Sequence, residues 1–320
     1  MASFRDTRSL VDGAFMAGLT AVLGLIGMFI PPLFMIISII MPLPLAVLVR
    51  RRDLKIGIMA LVVTGLLMMV LYPDPLQVLV MFIQFGPLGL VLGLLYKNYV
   101  SSGHALVAAS LVSGVAALIV IALTVALTGI NLEMIQSTFN ESLNKVFTMY
   151  QEAGYPVSAE QQEMMRASIK TSILLLPAAY FIYVVFSTAL TYIVGGKVLR
   201  RLNYKVNDLP PFSKWRLPWY SIWGIILGLL FLMLGKQLQV SLLQTIGSNF
   251  LTVFAFVFFV LGLSVAVYFY KNLTLSKPLK TILLVLMILY ITMMYPAIII
   301  LGVFDTIFNL RRPRVKKESK

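Results

Sequence analysis

The sequence predicts an all-α protein, a polytopic transmembrane helix bundle of about eight to ten membrane segments with an extracytoplasmic helical loop. Three observations carry this expectation. First, the chain is 60% hydrophobic and only 12% charged, where an ordinary soluble domain is about 25% charged. Second, its basic residues sit in short runs between long apolar stretches, the positive-inside pattern. Third, it opens on Val11–Val49, nearly continuous apolar sequence whose only charge is Asp12. About 20 apolar residues cross a ~30 Å hydrocarbon core, so this stretch, broken at Pro31-Pro32, reads as two membrane helices in a tight hairpin.

The elements follow in order. Residues 1–9 are a polar lead with Arg5 and Arg8; the apolar run behind them exceeds the ~7–15 residues of a signal-peptide core, which predicts an uncleaved anchor. Spans one and two occupy 11–30 and 33–49. The first carries small residues at Gly13, Ala17, Thr20 or Ala21, Gly24 and Gly27, spaced to share one face. Small faces let membrane helices approach closely, so this face is made for another helix, inside this chain or on another. Arg50, Arg51, Arg52 and Lys55 mark a cytoplasmic loop. Span three, 56–72, ends at Tyr72-Pro73-Asp74-Pro75. Span four, 76–96, contains Gln77, Gln84 and a Gly86-Pro87 break, and span five covers 104–128. Residues 129–168 are acidic, with Ile135, Phe139, Leu143 and Phe147 recurring every fourth position, which predicts an amphipathic helical hairpin outside the membrane. Span six covers 170–194 with Pro177 in its first third. A basic cytoplasmic loop, 197–216, leads to Trp215, Trp219 and Trp223, placed where indoles favour the headgroup zone. Spans seven and eight cover 217–234 and 250–270, separated by the uncharged, polar 237–249. Residues 281–304 read either as a thin or re-entrant hairpin turning at Tyr295-Pro296 or, if an earlier span is miscounted, as one further span, before Asp305 and a basic tail that is expected inside. The domain reading is therefore a six-span bundle over 1–196 including the loop 129–168, the loop 197–216, membrane segments over 217–310 and a tail over 311–320. Both termini are expected in the cytoplasm, in a cell-membrane protein.

Most reactive chemistry is excluded by inventory. The net charge of +14 follows topology rather than a nucleic-acid footprint. There is no cysteine and a single histidine, His104, so neither a thiol nucleophile nor a His-rich metal site can be built. No phosphate-binding loop is present, and no acidic residue sits mid-span. The expectation is a protein that is not an enzyme and holds no cofactor or metal. What remains is neutral polarity near broken helices, whose unwound backbone commonly forms substrate sites. Gln84, Asp74 and Tyr72, with Tyr180 and Tyr183 of span six, are the candidate lining of an outward pocket for a small neutral or zwitterionic molecule. Gln77 can share the face of Gln84.

The chain resembles the YybS-like family of Gram-positive multi-pass membrane proteins. The resemblance rests on the early hairpin, Phe85-Gly86-Pro87-Leu88-Gly89, the acidic loop and Ile300-Leu301-Gly302-Val303-Phe304-Asp305 ahead of a basic tail. Its first six spans also resemble the substrate-binding S component of energy-coupling-factor vitamin transporters. There an Ala-x-x-x-Ala motif on the first helix docks onto the coupling subunit; here Ala17-Gly18-Leu19-Thr20-Ala21 matches it, with Ala14-x-x-x-Gly18 beside it. The segments after residue 210 depart from that six-helix pattern. The resemblance implies a small-molecule-binding transport component that takes its energy from a partner, with Ala14, Ala17, Gly18 and Ala21 as the docking face. The alternatives are a non-enzymatic scaffold or regulatory protein of the cell envelope, and a lipid-handling membrane enzyme. The partners expected are the lipid bilayer, other membrane subunits through the first helix and a small-molecule ligand.

Overall fold

The long apolar stretches all fold as helices, and prolines set where several of them stop. The computed structural model describes residues 4–130 and 132–311. Its helices are α1 (Phe4–Phe29), α2 (Phe34–Ile40), α3 (Leu43–Arg51), α4 (Leu54–Leu71), α5 (Pro75–Lys97), α6 (Ser102–Thr128) and α7 (Leu132–Glu152). They continue as α8 (Ala159–Leu174), α9 (Leu176–Arg201), α10 (Trp223–Gln237), α11 (Ser241–Asn272), α12 (Lys277–Leu289) and α13 (Tyr295–Phe308). Among the described residues, eight segments are long and apolar enough to cross a membrane. The described residues divide into two compact units, one drawn from Met1–Ile135 and Tyr180–Leu209, the other from Gln136–Ala179 and Pro210–Lys320. Most of the acidic hairpin falls in the second of these units.

In the first unit the second span is the one that breaks. Pro31-Pro32 opens it as a 3-10 turn, where a missing N–H costs nothing. Pro42 then lacks the donor that the carbonyl of Ser38 would use, and its ring crowds that carbonyl. The helix stops at Ile40 and resumes at Leu43. α3 is buried over all of Leu43–Val49, as an all-round apolar helix should be. It lies against α5 because α5 offers glycines there. A Cβ on Gly89 would come within 2.8 Å of the Pro42 carbonyl oxygen, and one on Gly93 within 2.7 Å of that of Ala46. α5 runs unbroken through Pro87, which corrects the expectation of a break at Gly86-Pro87; Gly86 is instead filled by the Leu61 side chain of α4. At the charged end, Asp12 of α1 pairs with Arg52 at 2.6 Å and Arg51 at 3.5 Å. Lys97 bonds Asp53 at 2.7 Å, and its donated hydrogen bond and positive charge hold that carboxyl below the usual carboxylate range. The Arg50 guanidinium lies 5.1 Å from the Tyr99 ring and 5.0 Å from that of Tyr204.

In the second unit α7 and α8 form the predicted hairpin. Gly154 takes φ +83° at the turn, and Ser158 and Gln161 close a capping box at the start of α8. Arg166 of α8 donates to Asn144 of α7 at 2.5 Å. The α8–α9 junction at Leu175 is repaired from a distance. Asn249 of α11 donates to the carbonyl of Leu174 and accepts from the N–H of Ala178, both at 2.8 Å. Those two groups would bond each other in a continuous helix, so the amide is inserted into an opened turn beside Pro177. Residues 241–249, expected outside a span, are the first turns of α11. α10 and α11 pack through Gly224, Gly228, Gly235 and Gly247, whose absent side chains leave room for the opposing helix.

The C-terminal segment forms the thin pair that the sequence allowed. α12 and α13 have 13 and 14 residues, about 20 Å each. α13 crosses α11 where Gly262 meets the Ile298 carbonyl and Gly302 meets that of Phe258, contacts so close that a Cβ at either glycine would fall on the opposing oxygen. Below the crossing, Arg311 is 3% exposed and Asp305 6%, where the sequence suggested a free basic tail from residue 311. The remaining tail basics lie outside the described residues. Arg311 Nη2 pairs with Asp305 at 2.6 Å and donates to the Trp215 carbonyl at 2.7 Å. Its Nη1 donates to the Ser213 carbonyl and to Ser264 Oγ, both at 2.8 Å, and its Nε to Asp305. All five guanidinium N–H groups are thereby used.

Three outcomes follow for stability in detergent. Gly262→Ala and Gly302→Ala should each destabilise by about 1–3 kcal/mol through overpacking. Gly18→Ala, with nothing within 4 Å of the added carbon, should be neutral or slightly stabilising, as read by thermal unfolding. Asp305→Leu should cost about 3–5 kcal/mol by stranding a buried guanidinium, and adding Arg311→Met should recover most of it.

Candidate functional site

The polar residues singled out on α5 and α9 converge on one cavity of the first unit. It measures about 300 Å³ and is lined by Gln77, Gln84 and Phe85 of α5 and by Tyr180 and Tyr183 of α9, with the end of α1 and Phe34 closing it. That volume is at the lower bound for small-molecule pockets, about 300 Å³. Tyr180 donates to Gln84 Oε1 at 3.0 Å, and the two tyrosine rings stack at 6.5 Å. Gln84 is only 6% exposed. Its carbonyl is engaged, and among the described residues no acceptor is paired with its amide N–H groups. The lining thus offers the amide N–H groups of a buried glutamine, two phenols and apolar walls, with no carboxylate, histidine or lysine among its residues.

Two of the expected lining residues are elsewhere. Asp74 is the N-cap of α5 and accepts from the N–H of Leu76 at 2.9 Å and of Gln77 at 3.3 Å, the role its type fits ahead of Pro75. Tyr72 donates to Gln77 Oε1 at 2.6 Å and meets Phe29 edge-on at 5.1 Å. It orients a cavity glutamine without lining the cavity.

The broken helix beside the cavity is the second span, not the fourth. Tyr183 donates to Ser38 Oγ at 2.8 Å, and Thr191 donates to the carbonyl of Ile39 at 3.0 Å, next to the Met41-Pro42 interruption. Ser187 lies between them on α9, 5% exposed with its hydroxyl unpaired. Tyr180, Tyr183, Ser187 and Thr191 recur at helical spacing, so this polar stripe is legible in the sequence. Its target, the α2–α3 break, is not.

The small face of α1 is filled by the chain itself. Ala17 is 0% and Ala21 3% exposed. Thr64 of α4 donates to the Ala17 carbonyl at 3.1 Å, and the Met68 side chain of α4 fills the space at Gly24. The partner of this stripe lies inside the chain. Ala14 is exposed, and Gly18 has open space beside it; both sit to the side of the packed face.

Comparison with known proteins places this architecture. The family described as "Predicted membrane protein (DUF2232)" matches residues 18–306, from within α1 to Thr306 of α13. The chain belongs to the DUF2232 family. The Bacillus subtilis (strain 168) protein named "Uncharacterized protein YybS" is 26% identical over 311 residues, covering 96% of this chain and 98% of that one. No solved structure matches the chain. As a DUF2232 protein with eight candidate spans, it is a multi-pass membrane protein in contact with the lipid bilayer.

Replacing both small residues, Ala17→Leu with Ala21→Leu, should separate α1 from α4. A loss of folded monomer on size exclusion, with a fall in melting temperature, is the expected outcome, in place of a selective loss of one partner from an intact fold.

Proposed function

We propose that this protein is the small-molecule-binding component of a membrane transport system, non-enzymatic and dependent on a partner for energy. The observation that supports the reading best is the 300 Å³ cavity with the buried, donor-bearing Gln84 set against Tyr180 and Tyr183. Its uncharged hydrogen-bonding groups suit a small neutral or zwitterionic ligand with a carbonyl or other acceptor facing the Gln84 amide. A charged ligand would enter without a counter-ion, at a desolvation cost that neutral polar groups offset poorly. The lining offers two phenols as its only titratable groups, which favours binding over acid–base chemistry. With no nucleotide-binding loop in the sequence, movement of the ligand across the bilayer would draw on another subunit. That subunit would meet a surface other than the buried Ala17–Ala21 face.

The test is retention of a native ligand. Full-length protein purified from cells should release a compound, identified by mass spectrometry, that is enriched over a control membrane protein handled identically. Gln84→Ala should weaken its retention about tenfold, the upper range for one hydrogen bond, and Tyr180→Phe should weaken it less. Absence of any enriched compound, or wild-type retention by Gln84→Ala, would overturn the reading.

A further inference from the structure

A second cavity, in the other unit, points to a different ligand. A groove of about 220 Å³ runs between α11, α12 and α13, and every side chain lining it is apolar. α12 forms one wall without burying a single residue. Such a gap leaves its lining short of van der Waals partners. Inside a bilayer only hydrocarbon can supply them, because water brings hydrogen bonds that this lining cannot meet.

The ends of the groove are not alike. Leu284, Met287 and Ile288 are the α12 positions on the groove, with Ile291 in the turn that follows. Counting back along the same helical face gives Lys280 and then Lys277. On α11 the lining residues Leu263 and Val267 continue with the same spacing to Lys271. α11 ends at Asn272 and α12 begins at Lys277, so the three lysines gather at one mouth. Tyr270 ties the two ends together by donating to the Lys280 carbonyl at 3.3 Å. The sequence holds no acidic residue between Asp208 and Asp305, and Asp305 is consumed by Arg311. Among the described residues, none of the three lysines is ion-paired.

We propose that this groove seats an acyl chain of an anionic phospholipid whose phosphate is held by Lys271, Lys277 and Lys280. The apolar trough sets the chain position, and the unpaired cations select the headgroup charge. This site is separate from the Gln84 cavity and does not depend on the transport reading.

The experiment is native mass spectrometry of the full-length protein, delipidated in detergent and titrated with phosphatidylglycerol or phosphatidylcholine of identical chains. Phosphatidylglycerol should bind at least about tenfold more tightly. Lysine-to-glutamine changes at 271, 277 and 280 should each weaken it about fivefold, from the ~1 kcal/mol that one lysine contributes near an anionic surface, and leave phosphatidylcholine unaffected. Ala266→Leu, which fills the trough and keeps the lysines, should weaken both lipids. Glycerophosphoglycerol, the headgroup without chains, should not compete. The lysines are at the surface, so an unchanged melting temperature checks that each variant is folded. Equal affinity for the two lipids, wild-type preference in the triple lysine variant, unchanged binding by Ala266→Leu, or competition by the bare headgroup would each overturn the proposal.

Discussion

A backbone carbonyl left open in a bilayer has no water to turn to, and this chain opens its helices at several prolines. The way it closes those openings organises the whole structure. The end of α2 presents the Ile39 carbonyl, and Thr191 takes it from 152 residues away. The turn beside Pro177 presents Leu174 and Ala178, and Asn249 takes both. The loop before α10 presents the carbonyls of Ser213 and Trp215, and Arg311 takes them from the far end of the described chain. Each such group, left unpaired in hydrocarbon or buried in protein, would cost a few kcal/mol. Each repair therefore also fixes a long-range contact that apolar surfaces cannot fix, since lipid tails compete equally well for them.

The second ordering principle is the distance that backbone can close. Where glycine faces glycine or a carbonyl, as at Gly262 with Gly302 and along α5 against α3, helices touch with no side chain between them. Where large polar side chains meet instead, helices stand apart. Tyr180 on Gln84 and Tyr183 on Ser38 hold α9 through side-chain tips, and the space behind those tips is the cavity. The candidate ligand site and the attachment of α9 are thus made by the same residues. The polar stripe continues past the cavity through Ser187, buried and unpaired on that face, to Thr191.

Particular residues show what a reader of the sequence could and could not see. The prolines at 42, 87 and 177 look alike as letters. Pro87 sits in an unbroken helix, where Gly86 takes the Leu61 side chain and Gly89 meets the Pro42 carbonyl, while Pro42 and Pro44 together remove two donors that would have carried α2 into α3, and α2 stops at Ile40. Gln244, Thr245 and Asn249 read as loop residues, yet α11 includes them, because Gln244 and Asn249 bond carbonyls of α10 and α8. Asp74 suits a cap by its spacing to Pro75 and Gln77, and in the structure it caps α5 and does not line the pocket expected of it. Arg311 looked like the first member of a basic tail; only its distant acceptors distinguish it from the residues that follow.

The sequence by itself determined the class, the places where apolar chain must cross the bilayer, the amphipathic helical hairpin within residues 129–168 and the polar positions Tyr180 and Tyr183 of α9. These are set by transfer free energy and periodicity, which act residue by residue along the chain. Tertiary structure alone decided which proline breaks its helix, which small face is consumed internally, and which glutamine and tyrosines share a cavity. Those outcomes depend on whether a distant side chain arrives to satisfy an exposed carbonyl or to fill a gap, and that is a property of neighbours in space.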